Sequence, residues 1–337
     1  MTKWYNTVGE AGDIVLSTGI RLVRNIEDFV FPCRLDSEGR QKVSQLVRDI
    51  VFDAFPDEFC YIETDTLTYM QRLSMAERNI ISPEFAGRDD KNGLILSSDE
   101  NTGIMLCEQD HIRLQTIMPG LCPEQAYEYA GKIDKAIAEK VKYAYSDSIG
   151  YLTQSPSDLG TAMRCSVMLH LPALSDMGRL PRLARSIRSL GFSIRPVYGV
   201  HSRTPGDFYS VSNRITLGID EKTAVNNLKS ITSHIAAQEH NAASLLIEDE
   251  AWQDRIFRAY GILSTARLLS YEEFMQLISI VRFGSATGVI DVPLEKTNML
   301  IIGGQPATLS VIKGVDDTST SRNAARAKMV REVIRER

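Results

Sequence analysis

The stretch GLILSSDENTGIMLCEQDHIRLQTIMPG, residues 93–120, decides the fold class of this chain. Its apolar residues fall into three short runs, and the cluster DENTG (99–103) between the first two is typical of a hairpin turn. No helical segment separates these runs, so we expect adjacent antiparallel strands in a meander rather than βαβ units. The prediction is an α+β fold with an antiparallel sheet flanked by helices.

Long amphipathic segments on both sides of this stretch predict the helices that cover the sheet. Apolar residues recur at helical spacing in segments 38–54, 123–142 and 221–248. After Trp252 the pattern is mostly helical, in segments 252–260, 263–268, 271–283 and 320–336, with a Gly-rich turn region around 284–305. We therefore predict a sheet-containing domain over 1–250 and a helical domain over 251–337.

Composition and charge narrow the class of protein. The 337 residues are 43% hydrophobic and 24% charged, as in globular proteins, and the net charge of −5 gives no electrostatic reason to expect nucleic acid or a membrane as partner. No apolar run approaches the length of a membrane span, and the first residues lack a signal-peptide pattern. The five cysteines are irregularly spaced without a C-x-x-C pair, so we expect free thiols, no metal site and a cytoplasmic location.

Arginine is the residue type that suggests chemistry in this chain. A Walker A loop, a Rossmann glycine fingerprint and the kinase HRD and DFG motifs are absent from the sequence. Five arginines instead stand at predicted strand ends and loops: Arg21, Arg24, Arg113, Arg164 and Arg195. A guanidinium can hold phosphate with a bidentate fork and stays charged when desolvated. Spacing alone, however, favours solvated surface charges.

Five motifs in order change that interpretation. They are STGIRLVRN (17–25), ERNIISPE (77–84), EQDHIRLQ (108–115), GYLTQSPSDLGTAMRCSVMLHLPAL (150–174) and SNRITLG (212–218). Together they resemble the bacterial protein-arginine kinases of the ATP:guanido phosphotransferase family, relatives of creatine and arginine kinase. The stretches DRIFRAYGIL (254–263) and RNAARA (322–327) resemble the helical C-terminal domain of that family. The resemblance implies the guanido-kinase catalytic fold followed by that domain.

The resemblance also implies how ATP and Mg²⁺ would be held. The arginines of this chain that fall where the family clasps the ATP phosphates are Arg21, Arg113, Arg164 and Arg195, and Ser17 matches a nucleotide-contacting serine. One arginine of the family pattern is missing, because Gly19 stands in its place. Most of the phosphate-binding side is thus expected to be retained.

The side that should hold the substrate guanidinium departs from the family. The family's NEEDH reads CEQDH here, so Glu108 is kept but Gln109 replaces the catalytic glutamate. The family's cysteine is Ser155, and Val200 replaces the second gripping glutamate. A glutamine cannot act as a base, a serine without a base stays protonated, and a valine gives a cation no partner. The resemblance therefore implies that the chemistry of arginine phosphorylation is impaired.

Two further motifs carry weaker predictions. The family's phosphoarginine-binding RDxxRA reads RNAARA here, with Asn323 in place of the acid between Arg322 and Arg326. These residues are either a degenerate phosphoarginine site or a solvated basic helix face. Asp110 and His111 lack metal-ligand spacing, so we expect them to make hydrogen bonds at a strand end or helix cap.

Three functional hypotheses follow. The first is a protein-arginine-kinase-like protein that has lost phosphotransfer and acts through protein contacts in protein quality control or stress regulation. The second is an active kinase with a rearranged site, in which Glu108 orients the substrate and Asp158 supplies the missing charge. The third is an ATP-independent chaperone or adaptor. By resemblance, the expected partners are a second copy of the chain, a small zinc-binding activator protein and a Clp-type unfoldase.

Overall fold

An antiparallel sheet forms the centre of the molecule. The computed structural model describes residues 2–88, 92–198, 205–316 and 318–335. In these ranges the strands are β1 (Val15–Arg24), β2 (Phe59–Glu63), β3 (Gly93–Ser97), β4 (Thr102–Leu106), β5 (Ile112–Pro119), β6 (Tyr145–Ser146), β7 (Gly150–Tyr151), β8 (Met163–His170), β9 (Phe192–Pro196) and β10 (Phe208–Asn213). Apart from the β6–β7 pair they join one sheet in the order β2-β3-β4-β5-β1-β8-β10-β9. Every pairing in that sheet is antiparallel.

The strands β3, β4 and β5 confirm the meander predicted from residues 93–120. Leu96 pairs with Gly103 across the first turn, and Leu106 pairs with Ile112 across the second. Glu100 in the first turn takes a positive φ of 59°, the backbone conformation that tight turns require. The predicted α+β class and antiparallel sheet are therefore confirmed.

The helices of the first part of the chain lie on both faces of the sheet. They are α1 (Ser37–Ala54), α2 (Tyr69–Glu77), α3 (Pro83–Ala86), α4 (Pro123–Ala138), α5 (Pro172–Asp176), α6 (Leu180–Ser189) and α7 (Glu221–Leu246). The apolar stripes predicted at helical spacing are the buried faces of α1, α4 and α7, which pack with one side of β1, β5 and β8 into a single core. Because strand side chains alternate between faces, the residues between those core positions lie on the opposite face.

The later part of the chain is helical, as predicted, but its helices have fewer interruptions than the sequence predicts. Its helices are α8 (Glu250–Thr265), α9 (Tyr271–Ala286), α10 (Leu294–Gly303), α11 (Pro306–Lys313) and α12 (Ser319–Arg335). The predicted break near 261 is wrong, because α8 runs through Gly261. The Gly-rich turn region predicted around 284–305 is also wrong over much of its length. There Leu300, Ile301 and Ile302 are fully buried, and their packing favours a helix despite the glycines.

The later helices pack directly against the sheet. Trp4, Met168 and Phe208 share a core with Phe274 and Leu300 of α9 and α10. The buried guanidinium of Arg282 on α9 also donates hydrogen bonds to the carbonyl oxygens of the segment that leads into β1. The division of the chain into two domains near residue 250 stays a prediction. Within the described ranges, no helix is both long and apolar enough to cross a bilayer.

Candidate anion-binding site

Three arginines meet on the face of the sheet that α4 and α7 leave free. Arg21 on β1 lies opposite Arg164 on β8 in the strand register, and Arg113 on β5 lies beside them. All three line one cavity of about 190 Å³. They converge because neighbouring antiparallel strands place directly opposed residues on the same face of a sheet. The strand pleat thus assembles residues that lie up to 143 positions apart in the sequence (164 − 21).

The strand side of this cavity, its floor, includes several small residues. Ser17 and Gly19 on β1, Ser166 on β8 and Ser210 on β10 line it beside the arginines. A Cβ added at Gly19 would come within 3.2 Å of Ser166 Oγ, so the floor is closely packed there. Small side chains leave room for a ligand above the strands and offer hydroxyl groups that can donate hydrogen bonds.

Asp158 neutralises part of this positive charge from within the chain. It ends a one-turn 3-10 helix, Pro156–Asp158, and is buried. Nη2 of Arg21 donates to both of its carboxylate oxygens at 3.2 Å, and Nη2 of Arg164 lies 3.4 Å from Oδ1. Both oxygens of Asp158 are therefore engaged by arginine.

Glu108 holds the third arginine. Its Oε2 accepts a hydrogen bond from Nη1 of Arg113 at 2.6 Å, and its Oε1 accepts one from the Ser82 hydroxyl at 2.6 Å. Arg88 donates to the backbone carbonyl of the same glutamate. Glu108 is buried, so this carboxylate is a fixed part of the cluster.

Hydrogen-bond donors remain unused in the cluster. The Nε–H groups of Arg21, Arg113 and Arg164 are buried and have no acceptor among the described residues. Burial, followed by the nearby charge of Arg113, lowers the pKa of Arg21 to about 10. Buried donors are rarely left without partners, and the three guanidinium groups here face only two carboxylates of the described residues, Asp158 and Glu108. The arrangement is that of a site for an anion with several oxygen acceptors.

The structure separates Arg195 from this cluster. Ser17, Arg21, Arg113 and Arg164 line the same cavity. Arg195 on β9 is exposed and lines a second groove at the sheet edge with other arginines. The role of these residues in nucleotide binding stays a prediction.

The residues expected on the guanidinium side offer no free acid. Gln109 is exposed, and the hydroxyl of the half-buried Ser155 shares a hydrogen bond of 2.8 Å with the Ser157 hydroxyl. Val200 lies outside the described residues. Asp158, which the rearranged-site hypothesis invoked as a substitute charge, contacts the arginines expected to hold phosphate. Its position therefore does not support that hypothesis.

Asp110 and His111 make structural hydrogen bonds at the start of β5, as predicted. Asp110 accepts from the Asn25 amide at 2.6 Å and from the Gln154 backbone N–H at 2.7 Å. His111 Nδ1 accepts from the Ile26 N–H at 3.0 Å, and its Nε2 lies 2.9 Å from the Val30 carbonyl oxygen, to which it donates. Burial lowers the pKa of His111, which favours this neutral form. In the part of the chain that the structure describes, no group of three or more potential metal ligands occurs.

Sequence reasoning missed two polar residues of the cavity wall. Asn79 follows α2 with a positive φ of 60°, and its buried amide nitrogen has no acceptor among the described residues. Gln115 on β5 lines the same wall and donates to the Asn79 carbonyl at 2.6 Å. The sequence could have indicated Gln115, because Arg113 and Gln115 alternate with apolar residues on β5 and so share one face of the strand. No comparable pattern marked Asn79.

The altered RNAARA motif lies on α12. Arg326 is only 1% exposed, and burial lowers its pKa to about 10. Its guanidinium donates to the carbonyl oxygens of Gly304 at 2.9 Å and Leu269 at 2.8 Å, and to the side chain of Asn323 at 3.0 Å. Arg322 is half-buried. The solvated-face alternative is therefore wrong for Arg326, and the phosphoarginine alternative stays a prediction.

Comparison with known proteins decides the family. Residues 42–242 match the family described as ATP:guanido phosphotransferase, C-terminal catalytic domain. Residues 249–337 match the one described as Protein-arginine kinase McsB C-terminal domain. The chain belongs to the protein-arginine kinase family. The resemblance found in the sequence motifs is thereby confirmed.

Relatives in the protein-arginine kinase family match nearly the whole chain. The protein-arginine kinase of Caldanaerobacter subterraneus subsp. tengcongensis is 38% identical and covers 94% of this chain and 96% of its own length. The protein-arginine kinase of Halothermothrix orenii is 36% identical and covers 98% and 96%.

Solved guanido kinases share the fold. Lombricine kinase has a TM-score of 0.61 at 23% identity, covering 69% of this chain and 68% of its own. The duplicated taurocyamine kinase from Schistosoma mansoni has a TM-score of 0.62 at 20% identity, covering 94% of this chain and 42% of its own. At these identities the likeness shows the fold alone, which confirms the predicted guanido-kinase architecture.

Proposed function

We propose that this chain is a protein-arginine kinase homologue that binds ATP at the arginine cluster but does not transfer the γ-phosphoryl group to arginine. One observation carries the proposal. Among the described residues, the two carboxylates at the cluster, Glu108 and Asp158, both have their oxygens engaged, while the position of the catalytic base holds the exposed amide Gln109.

The chemistry explains why a free carboxylate matters. A guanidinium has a pKa above about 12, so it must be oriented and lose a proton before its nitrogen attacks phosphorus. Gln109 carries no charge, and the Ser155 hydroxyl has Ser157 as its partner rather than a base. Removing one preorganised electrostatic group typically lowers a rate by about 10²–10³. Together, the losses at Gln109, Ser155 and Val200 leave little phosphoryl transfer to arginine, even if their effects are not additive.

The phosphate-binding side fits a triphosphate. Unused Nε–H donors of Arg21, Arg113 and Arg164 point to an acceptor-rich anion, and the cavity floor offers Ser17. Mg²⁺ commonly enters such sites with the phosphates and its own waters, so it needs no dedicated cage of protein ligands. When bound, it would neutralise charge on the phosphate oxygens. Binding of ATP is thus supported without the acid that transfer requires.

The Asp158 carboxylate is expected to weaken the binding of ATP, because it competes with phosphate for Arg21 and Arg164. Asp158→Asn keeps the shape and one acceptor oxygen but removes the charge. We expect it to lower the Kd for ATP by about tenfold or more, since one charge a few ångströms away is worth several kcal/mol at a partly buried site. Isothermal titration calorimetry measures the change.

Asp134→Asn is the matched control for this variant. Asp134 pairs with Arg24, which is also on β1 but on the helix-covered face of the sheet. It should leave the Kd for ATP unchanged. Equal affinities of Asp158→Asn and the parent chain would show that Asp158 does not compete with phosphate.

The proposal as a whole is tested by two measurements on one preparation, ATP binding by calorimetry and phosphoarginine formation on an arginine-rich protein. Binding without transfer is the expected result. Transfer that depends on Arg164 would favour an active kinase with a rearranged site. Absence of ATP binding would favour an ATP-independent chaperone or adaptor.

The partners, location and cellular role that we propose rest on the family alone. Relatives at 36–38% identity carry the name protein-arginine kinase. We extend to this chain the partners that the resemblance implies: a second copy, a small zinc-binding activator and a Clp-type unfoldase. The location would be cytoplasmic, and the role would lie in protein quality control or stress regulation. Co-purification with each of these partners tests the extension.

A further inference from the structure

One segment of the sequence is rich in arginine and free of acidic residues. Between Met177 and Gly206 the sequence contains no Asp, Glu or Lys, whereas the arginines there are Arg179, Arg182, Arg185, Arg188, Arg195 and Arg203. The whole chain has a net charge of −5, so this segment opposes the overall balance. A local concentration of one sign attracts oppositely charged molecules to that part of a surface.

The helix α6 displays these arginines as a stripe. Leu183 and Ile187 are buried and attach α6 to the core, while Arg182, Arg185 and Arg188 recur every third residue on its exposed side. None of these three arginines forms an ion pair within the described ranges. Their charges are therefore available to a ligand.

A groove of about 320 Å³ lies between α6 and the edge of the sheet. Arg185 and Arg188 form one wall, and the other is the strand β9, residues 192–195, with Arg214 beyond its end. β9 is the outermost strand on this side of the sheet. The groove is separate from the Arg21 cavity, and the proposed ATP site does not use Arg185, Arg188 or Arg214.

The edge of β9 carries main-chain groups that face outward. Arg214 N–H donates to the Gly191 carbonyl oxygen, and Val197 N–H donates to the Phe208 carbonyl oxygen. These two hydrogen bonds show which main-chain groups of β9 and its flanking residues point toward β10. Inward and outward residues alternate in an antiparallel pair, so Phe192 and Ile194 direct their N–H and C=O groups away from the sheet. An outward strand edge can accept one more strand from another chain.

We propose that this groove binds an extended acidic peptide segment of a partner protein. Its main chain would pair with Phe192 and Ile194, and its alternate Asp or Glu side chains would meet Arg185, Arg188 and Arg214. Guanidinium groups match carboxylates with bidentate geometry, and the strand edge selects an extended peptide because a nucleic acid has no backbone that can continue the ladder.

The test uses a fluorescein-labelled peptide of four Val-Glu repeats and fluorescence anisotropy on the full chain. We expect saturable binding, and at least about tenfold weaker binding of peptides in which Gln or Lys replaces Glu. The double variant Arg185→Glu, Arg188→Glu should weaken binding of the acidic peptide by at least about tenfold. Ile194→Pro removes an outward N–H, which edge strands tolerate, and should also weaken binding.

The matched control is Lys132→Glu, Lys135→Glu on α4. Both lysines are exposed, are also three residues apart, and their replacement changes the net charge by the same amount. This control variant should bind the acidic peptide with the parent chain's affinity. Equal weakening in both double variants, or no effect of Ile194→Pro, would overturn the proposal. So would an oligonucleotide of equal charge that displaces the peptide. The Arg185→Glu, Arg188→Glu variant should bind ATP with the parent's affinity. A loss of peptide binding in this variant would then not come from damage to the proposed nucleotide site.

Discussion

Arg21→Ala is expected to weaken ATP binding by at least about 100-fold, or 2.7 kcal/mol at 25 °C. Arg21 stands on the central strand of the cluster, between Arg164 on β8 and Arg113 on β5. Its Nη2 is held by Asp158, and its buried Nε–H has no acceptor among the described residues. Hydrogen bonds to charged groups contribute about 1.5–3 kcal/mol each, so losing this fork alone accounts for the effect.

Calorimetry with ATP and Mg²⁺ measures this loss, and Arg24→Ala is its control. Arg24 is on the same strand but pairs with Asp134 and stacks over Tyr151, on the helix-covered face. Measured well below its unfolding temperature, the control should bind ATP as the parent does. If Arg21→Ala also binds ATP with the parent's affinity, the phosphates do not lie at this cluster.

Arg282→Met is expected to lower the free energy of unfolding by about 3 kcal/mol or more, because buried acceptors that lose a charged donor keep their full desolvation cost. Arg282 is fully buried on α9. It donates to the carbonyl oxygens of Gly12 and Asp13 at 2.7 Å and to Asn298 Oδ1 at 3.0 Å, and its Nη1 lies 3.1 Å from His170 Nδ1. Methionine fills most of the volume but satisfies none of these groups.

Chemical denaturation, with the midpoint and slope fitted for each variant, measures this destabilisation. Arg258→Met on α8 is the control, since that side chain is 76% exposed and its nearest acid, Asp254, is 4.0 Å away. The control should unfold at the parent's midpoint. Coincident curves for Arg282→Met and the parent would mean that this guanidinium does not tie α9 to the start of β1.

Periodicity accounts for most of the fold that could be predicted. Alternation and turn residues identified the meander from 93 to 120, and apolar stripes identified α1, α4 and α7. The failures lie where tertiary packing outweighs local preference. Gly261 sits inside α8, and the helix α10 forms in a glycine-rich stretch because it is buried on the core.

The three clustered arginines of the candidate site were predictable from the sequence, but their ion pairs were not. The motifs named Arg21, Arg113 and Arg164, and the structure brings them to one cavity. That Asp158 would bridge two of them depends on a contact across 137 residues, which no local pattern encodes. In the same way, the buried environment of Arg326 depends on carbonyl groups 22 and 57 residues away.

The central claim is that this family member holds ATP without phosphorylating arginine. Its most direct test is the amount of acid-labile phosphoarginine formed on an arginine-rich protein after incubation with ATP and Mg²⁺. The parent chain should form no more than Arg164→Ala does, whereas the restoring variant Gln109→Glu, Ser155→Cys, Val200→Glu should form more than both. Product from the parent chain that Arg164→Ala fails to make would contradict the account.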